Sequence, residues 1–119
     1  MGVMGDWESM AGDAVAQKLH KKLKAGLVDL APTRVEVASH GAGDEAYVLF
    51  DLHYDNDKAQ EAFNKMNHDW ALTAIECGGN GSTCIPHNDT LIQASIKGVS
   101  LQRLSHALDK RTQIGTLSR

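Results

Sequence analysis

The sequence has no apolar run approaching the roughly 20 residues that cross a bilayer, so we expect no membrane association. Its N-terminus lacks a basic segment followed by an apolar core, and Asp6 stands where a myristoylation pattern requires Ser or Thr. Only two cysteines occur in the 119 residues. Without a secretory signal, we expect a cytoplasmic protein with reduced thiols.

An excess of positive charge is also absent. The chain has 12 Lys and Arg against 15 Asp and Glu, a net charge of −3. Nucleic-acid-binding domains are usually basic, so we do not expect a nucleic-acid partner. Internal repeats, low-complexity stretches and linkers are lacking as well. We therefore predict a single domain over residues 1–119, frayed at 1–5 and 113–119.

Two segments with alternating polarity predict a β-hairpin. Residues 34–40 and 45–54 have period-two patterning, and the glycine-rich 41–44 separates them. In the preferred register His40 lies opposite Glu45, and Arg34 forms a cross-strand ion pair with Asp51. One face of the second strand is apolar and is expected to point into the core: Val48, Phe50, Leu52 and Tyr54.

Helical spacing of apolar residues occurs in three places. It predicts helices over residues 6–25 and 57–70, with Trp7 and Trp70 in the core. Gly26 is expected to end the first helix, and Ser100 is expected to cap a third.

The remaining segments predict strands. Residues 72–77 predict a short strand, and residues 90–97 alternate in polarity as a further strand would. Asn80–Gly81 is typical of a hairpin turn that would place Cys77 opposite Cys84. The predicted order is α-β-β-α-β-β-β-α. We expect an α+β fold with a mixed, mainly antiparallel sheet of four to five strands and three helices mainly on one face.

The polar face of the second predicted strand indicates where a partner or ligand could bind. A strand covered by helices on both faces would be apolar throughout, and this one is not. The face away from the helices is thus the first candidate site, and it comprises Arg34, Glu36, Leu49, Asp51 and His53.

The same face offers side chains that are suited to catalytic or metal chemistry. Asp51, His53 and Asp55 follow one another at every second position, so two carboxylates could tune the imidazole as a base or hold a metal. The alternative is a solvated strand face on which Arg34 already pairs with Asp51. We predict no metal site and assign no catalytic residue.

The two cysteines leave three alternatives open. They could be free thiols, a disulfide between Cys77 and Cys84, or part of a zinc site with His87. A nucleophilic Cys84 paired with His87 is a further hypothesis, but the sequence shows no third group to orient the imidazole.

The glycine-rich segment 78–83 could bind a phosphate through its backbone N–H groups. It lacks the lysine of a P-loop and leads into a strand, so a tight turn is the simpler interpretation. The candidate loop site comprises Gly79, Asn80, Ser82, Thr83 and His87.

Three hypotheses for function remain. The first is a small interaction module, an inhibitor, adaptor or regulator, that forms a dimer or higher homo-oligomer or binds a protein partner through the open sheet face or an edge. The second is a binder of a nucleotide or other small anion between loops 78–90 and the basic end of the first helix. The third is an enzyme using His53 with Asp51, or Cys84 with His87. No enzyme motif is complete and no cofactor is expected, so the sequence favours the first.

Overall fold

The computed structural model describes the backbone of residues 3–115 and the side chains of residues 10–115. It has the predicted α+β fold, in the order α-β-β-α-β-β-α. The elements are α1 (Val3–Leu27), β1 (Arg34–His40), β2 (Tyr47–His53), α2 (Ala59–Glu76), β3 (Gly81–Asn88), β4 (Leu91–Lys97) and α3 (Leu101–Asp109). Short 3₁₀ turns cover Val28–Leu30 and Gly43–Glu45.

The four strands form one sheet in the order β1-β2-β4-β3, and every neighbouring pair is antiparallel. The predicted mixture of parallel and antiparallel pairs was wrong in this respect. Strands β2 and β3, which α2 connects, do run in the same direction, but β4 lies between them. Four strands form within the described part of the chain, which settles the predicted range of four to five.

The missing strand is the segment 72–77, which continues α2 instead. Thr73, Ala74 and Cys77 are buried whereas Ile75 is exposed, which is the periodicity of a helix. Gly78 then ends the helix with φ of +83°. Its N–H donates to the Ile75 carbonyl and the next N–H donates to the Ala74 carbonyl, the pattern of a Schellman cap.

The β1–β2 register also differs from the prediction. His40 lies opposite Tyr47 rather than Glu45, and Arg34 lies opposite His53 rather than Asp51. The loop is two residues longer than expected because Gly43–Glu45 forms a 3₁₀ turn, closed by the Ala46 N–H donating to the Gly43 carbonyl. A shift of two residues preserves the alternation, so each side chain remains on its predicted face.

The core lies between the sheet and the helices. α1 packs against β1, α2 against β3 and β4, and α3 against α1. Phe50 meets Trp70 edge to face with ring centroids 5.0 Å apart, and the Trp70 indole N–H donates to the Ser95 carbonyl. The predicted inward side chains of β2 are all buried, which confirms that one sheet face is covered and the other is not. The side chains that fill the core include Val15, Leu19, Leu23, Val48, Phe50, Leu52, Met66, Trp70, Ile92, Ile96, Leu104 and Leu108.

The ends of the helices differ in part from expectation. Helix α1 continues through Gly26, whereas the Ser100 hydroxyl accepts the Arg103 N–H and caps α3 as predicted. Met10 in α1 is 67% exposed. The predicted core position of Trp7 lies outside the described side chains. Among the helices that the structure describes, none combines the length and the apolar character that spanning a bilayer requires.

The segment just after α3 packs against the domain, where fraying was predicted. Ile114 is fully buried, and its N–H donates to the Lys22 carbonyl in α1. The predicted fraying of residues 1, 2 and 116–119 lies outside the described residues. Residues 113–115 are therefore part of the packed domain.

Candidate functional site: the open sheet face

The open sheet face is the side of the sheet that points away from all three helices. Its side chains come from alternate positions of each strand, and the pairing aligns them in rows across the sheet. They are Arg34, Glu36, Ala38 and His40 from β1; Tyr47, Leu49, Asp51 and His53 from β2; Leu91, Gln93, Ser95 and Lys97 from β4; and Thr83 and Ile85 from β3. The five residues that the sequence proposed for a partner face all lie on it.

One row of this face carries no ionisable group. It runs from Ala38 through Leu49 and Ser95 to Thr83, and the two hydroxyls hydrogen-bond with their oxygens 2.7 Å apart. Leu49 lies on a central strand and is 39% exposed. This row is therefore an apolar and hydroxyl-bearing strip across the whole sheet.

Further apolar surface lies on either side of this strip. The Tyr47 ring is 37% exposed and stacks on His40 with centroids 5.1 Å apart, whereas Ile85 on β3 is 55% exposed. Three of the large apolar side chains that the described residues expose, Tyr47, Leu49 and Ile85, therefore lie on one side of the sheet.

The other end of the face is charged. The ion pair expected between Arg34 and Asp51 does not form; the Arg34 Nη1 lies 2.8 Å from the Glu36 Oε2. The His53 Nε2 lies 2.8 Å from the other Glu36 oxygen, and the Gln93 amide donates to Asp51 at 3.3 Å. The hydrogen bond from His53 lowers the pKa of Glu36, and the charge of Arg34 adds to this effect.

The predicted loop site is not assembled. Gly78 lies at the C-terminal end of α2, but the Asp89 carbonyl accepts the Ala59 N–H at the N-terminal end of that helix. The 18 residues of α2 place these two loops roughly 27 Å apart. The 78–90 loops therefore cannot form one pocket with the end of α1.

The five residues named for that loop site have different surroundings. Gly79 packs closely on Ile96, and Asn80 lies against Gly98. Thr83 belongs to the open sheet face. Ser82 and His87 are exposed on β3, where the register shifts between Pro86 and Asn88.

The cysteines are free thiols in separate places. Cys77 is buried at the C-terminus of α2, whereas Cys84 lies in β3, opposite Ala94 of β4. The predicted hairpin that would pair the two cysteines is therefore wrong. Burial raises the pKa of the Cys84 thiol to about 11. A thiol that stays protonated is a poor nucleophile, which counts against the hypothesis of a reactive Cys84 with His87.

One cavity of the described residues was not predicted from the sequence. It has a volume of about 1050 Å³ and opens between α1, the β1–β2 loop and the start of α3, beside Asp44, Arg103 and His106. No buried side-chain nitrogen or oxygen of the described residues lacks a hydrogen-bond partner. Among the described residues, the cavity wall therefore has no buried side-chain polar atom that lacks a partner and would point to a particular ligand.

Sequence reasoning missed the contribution of β3 and β4 to the open face. The alternation of Leu91, Gln93 and Ser95 with apolar neighbours was visible and already indicated which of these side chains face outward. Only the pairing of β4 with β2 shows that they extend the same surface.

Comparisons of the chain with protein-family models, curated proteins and solved structures give no match.

Proposed function

We propose that the protein is a small interaction module that self-associates through the open sheet face. The observation that carries this proposal is the one-sided packing of the helices, which leaves Leu49 exposed at the centre of a four-stranded sheet. Burying such a face against another molecule removes apolar surface from water, and it requires no change in the fold.

A second copy of the chain is the partner that the charges favour. The face carries both signs: Arg34 forms an ion pair with Glu36, and Asp51 lies opposite Glu36 on the neighbouring strand. In a twofold dimer each surface meets itself, so a patch with both signs can place cations against anions. The uncharged strip through Leu49 would then form the centre of the interface, where charged residues are usually depleted. An inhibitor, adaptor or regulator could act in this paired form.

The edges of the sheet offer a less direct route to association. β3 contains Pro86 and a register shift, and both features disfavour pairing with another strand. At the other edge, α1 lies close to β1, where a Cβ at Gly12 would be 3.5 Å from the Val37 carbonyl oxygen. The open face is therefore the surface to test first.

Mass measurement by light scattering after size-exclusion chromatography tests the proposal. The natural chain is expected to be a dimer at micromolar concentrations, and Leu49→Asp is expected to be a monomer. Leu72→Asp is the matched control, because Leu72 is 41% exposed, close to the exposure of Leu49, but lies on α2. This control should remain a dimer. A monomeric natural chain, or equal behaviour of the two variants, would overturn the proposal.

A further inference from the structure

The charged end of the open sheet face brings three metal-ligating side chains together. One ligand atom each from Glu36, Asp51 and His53 lies within 4.8 Å of the others. Ligand atoms around a tetrahedral ion, each about 2.1 Å from it, are about 3.4 Å apart. Small side-chain rotations would therefore allow all three residues to contact one ion.

The register places two carboxylates side by side, and of these two only Glu36 pairs with a cationic side chain among the described residues. Glu36 and Asp51 are directly opposed on the same face of β1 and β2. Opposed like charges in neighbouring strands destabilise the pair. Arg34 and Gln93 each engage one carboxylate oxygen, but among the described residues no group donates to the Asp51 Oδ2. That oxygen is available as a ligand.

The donor set favours a particular class of ion. One imidazole nitrogen and two carboxylate oxygens suit a divalent first-row transition metal, whereas Ca²⁺ and Mg²⁺ prefer oxygen ligands alone. Three protein ligands leave a further coordination position on an exposed surface, which water can fill. Arg34 and Gln93 would hold the two carboxylates in place from outside the ligand set.

We infer that Glu36, Asp51 and His53 form a binding site for Zn²⁺ or a similar divalent transition metal. No metal site was expected from the sequence, because Arg34 was predicted to form an ion pair with Asp51. In the structure Arg34 engages Glu36, and Asp51 is directly opposite Glu36. The inference does not depend on self-association, since all three ligands belong to one chain.

Titration of the full chain with Zn²⁺ by isothermal calorimetry tests the inference. One ion per chain is expected. Asp51→Asn and His53→Ala should each weaken binding at least about tenfold, since changes outside the ligand set already cost that much. Circular dichroism should show that both variants remain folded. His87→Ala and Asp55→Asn are controls, because both residues are exposed and lie outside the three-residue set; they should bind as the natural chain does.

Co²⁺ provides a second readout, because thiolate ligands produce a charge-transfer absorption that nitrogen and oxygen ligands do not. Absence of that absorption is expected. Three results would overturn the proposed metal site. They are the presence of that absorption, a natural chain that does not bind Zn²⁺, and unchanged Zn²⁺ affinity in Asp51→Asn and His53→Ala. Leu49→Asp should retain Zn²⁺ binding, so failure of the dimer and failure of the metal site give different results.

Discussion

Asp69 in α2 and Arg111, which follows α3, form a largely buried ion pair. Both Asp69 carboxylate oxygens accept from the Arg111 Nη2 at 2.7 Å, and one of them also accepts the Gly115 N–H at 2.9 Å. Asp69 is only 6% exposed. The pair fastens the segment after α3 to α2, and Ile114 in that segment packs into the core.

Asp69→Asn should therefore destabilise the fold. Removing one charge of a buried pair leaves the other poorly compensated, although the Arg111 Nη1 keeps its bond to Glu76. We expect a loss of roughly 3 kcal/mol in the free energy of unfolding, measured by denaturant titration. Asp109→Asn, which removes the exposed ion pair with Lys18, is the control and should have little effect. Equal losses in the two variants would contradict the structural role given to Asp69.

Gly26→Ala and Gly12→Ala should have opposite effects, although both glycines lie inside α1. Alanine in a helix interior is favoured over glycine by about 1 kcal/mol. At Gly26, however, an added Cβ would clash with the Ile114 carbonyl group, and overpacking costs roughly 1–3 kcal/mol. At Gly12 the nearest atom would be 3.5 Å away. Thermal unfolding should show a lower melting temperature for Gly26→Ala and an equal or higher one for Gly12→Ala. A higher melting temperature for Gly26→Ala would show that residues 113–115 do not pack against α1 as described.

Stability should fall at alkaline pH, in part because of Cys84. Its pKa is raised by burial to about 11, and an unfolded cysteine has a pKa near about 8.5. The unfolded state loses its proton first, so this contribution is complete below about pH 8.5 and is lost as the pH rises to about 11. Between pH 8 and 10.5 the natural chain should lose roughly 2 kcal/mol more than Cys84→Ala, measured by urea unfolding at each pH. An identical pH dependence in both proteins would mean that the thiol is not protected by the fold.

The faces of the strands could be predicted because alternation depends only on local backbone geometry. Val48, Phe50 and Leu52 point inward whatever their partners are, since successive side chains in a strand project to opposite sides. The register of the hairpin could not be predicted with the same certainty, because it depends on how many residues the loop uses. Gly43–Glu45 formed a 3₁₀ turn that composition alone did not indicate.

The boundary of α2 shows a second limit. Over the six residues 72–77 the apolar pattern fits a strand as well as a helix, and short apolar runs are ambiguous in this way. The structure resolves the ambiguity through Gly78, whose positive φ ends the helix. Reading Gly78 as a helix cap rather than as part of an Asn–Gly hairpin would have corrected both the missing strand and the cysteine pairing.

The sequence by itself determined the class of fold, the inward and outward faces of the central strands, and the presence of an uncovered polar face, because periodicity and composition act locally. Only the tertiary structure decided which side chains meet on that face. Glu36 lies opposite Asp51, and His53 hydrogen-bonds to Glu36. Both contacts depend on how β1 aligns with β2, and the length of the loop between them, which was not predicted, sets that alignment. The ion pair of Asp69 with Arg111 likewise joins residues 42 positions apart, and no local pattern specifies such a contact.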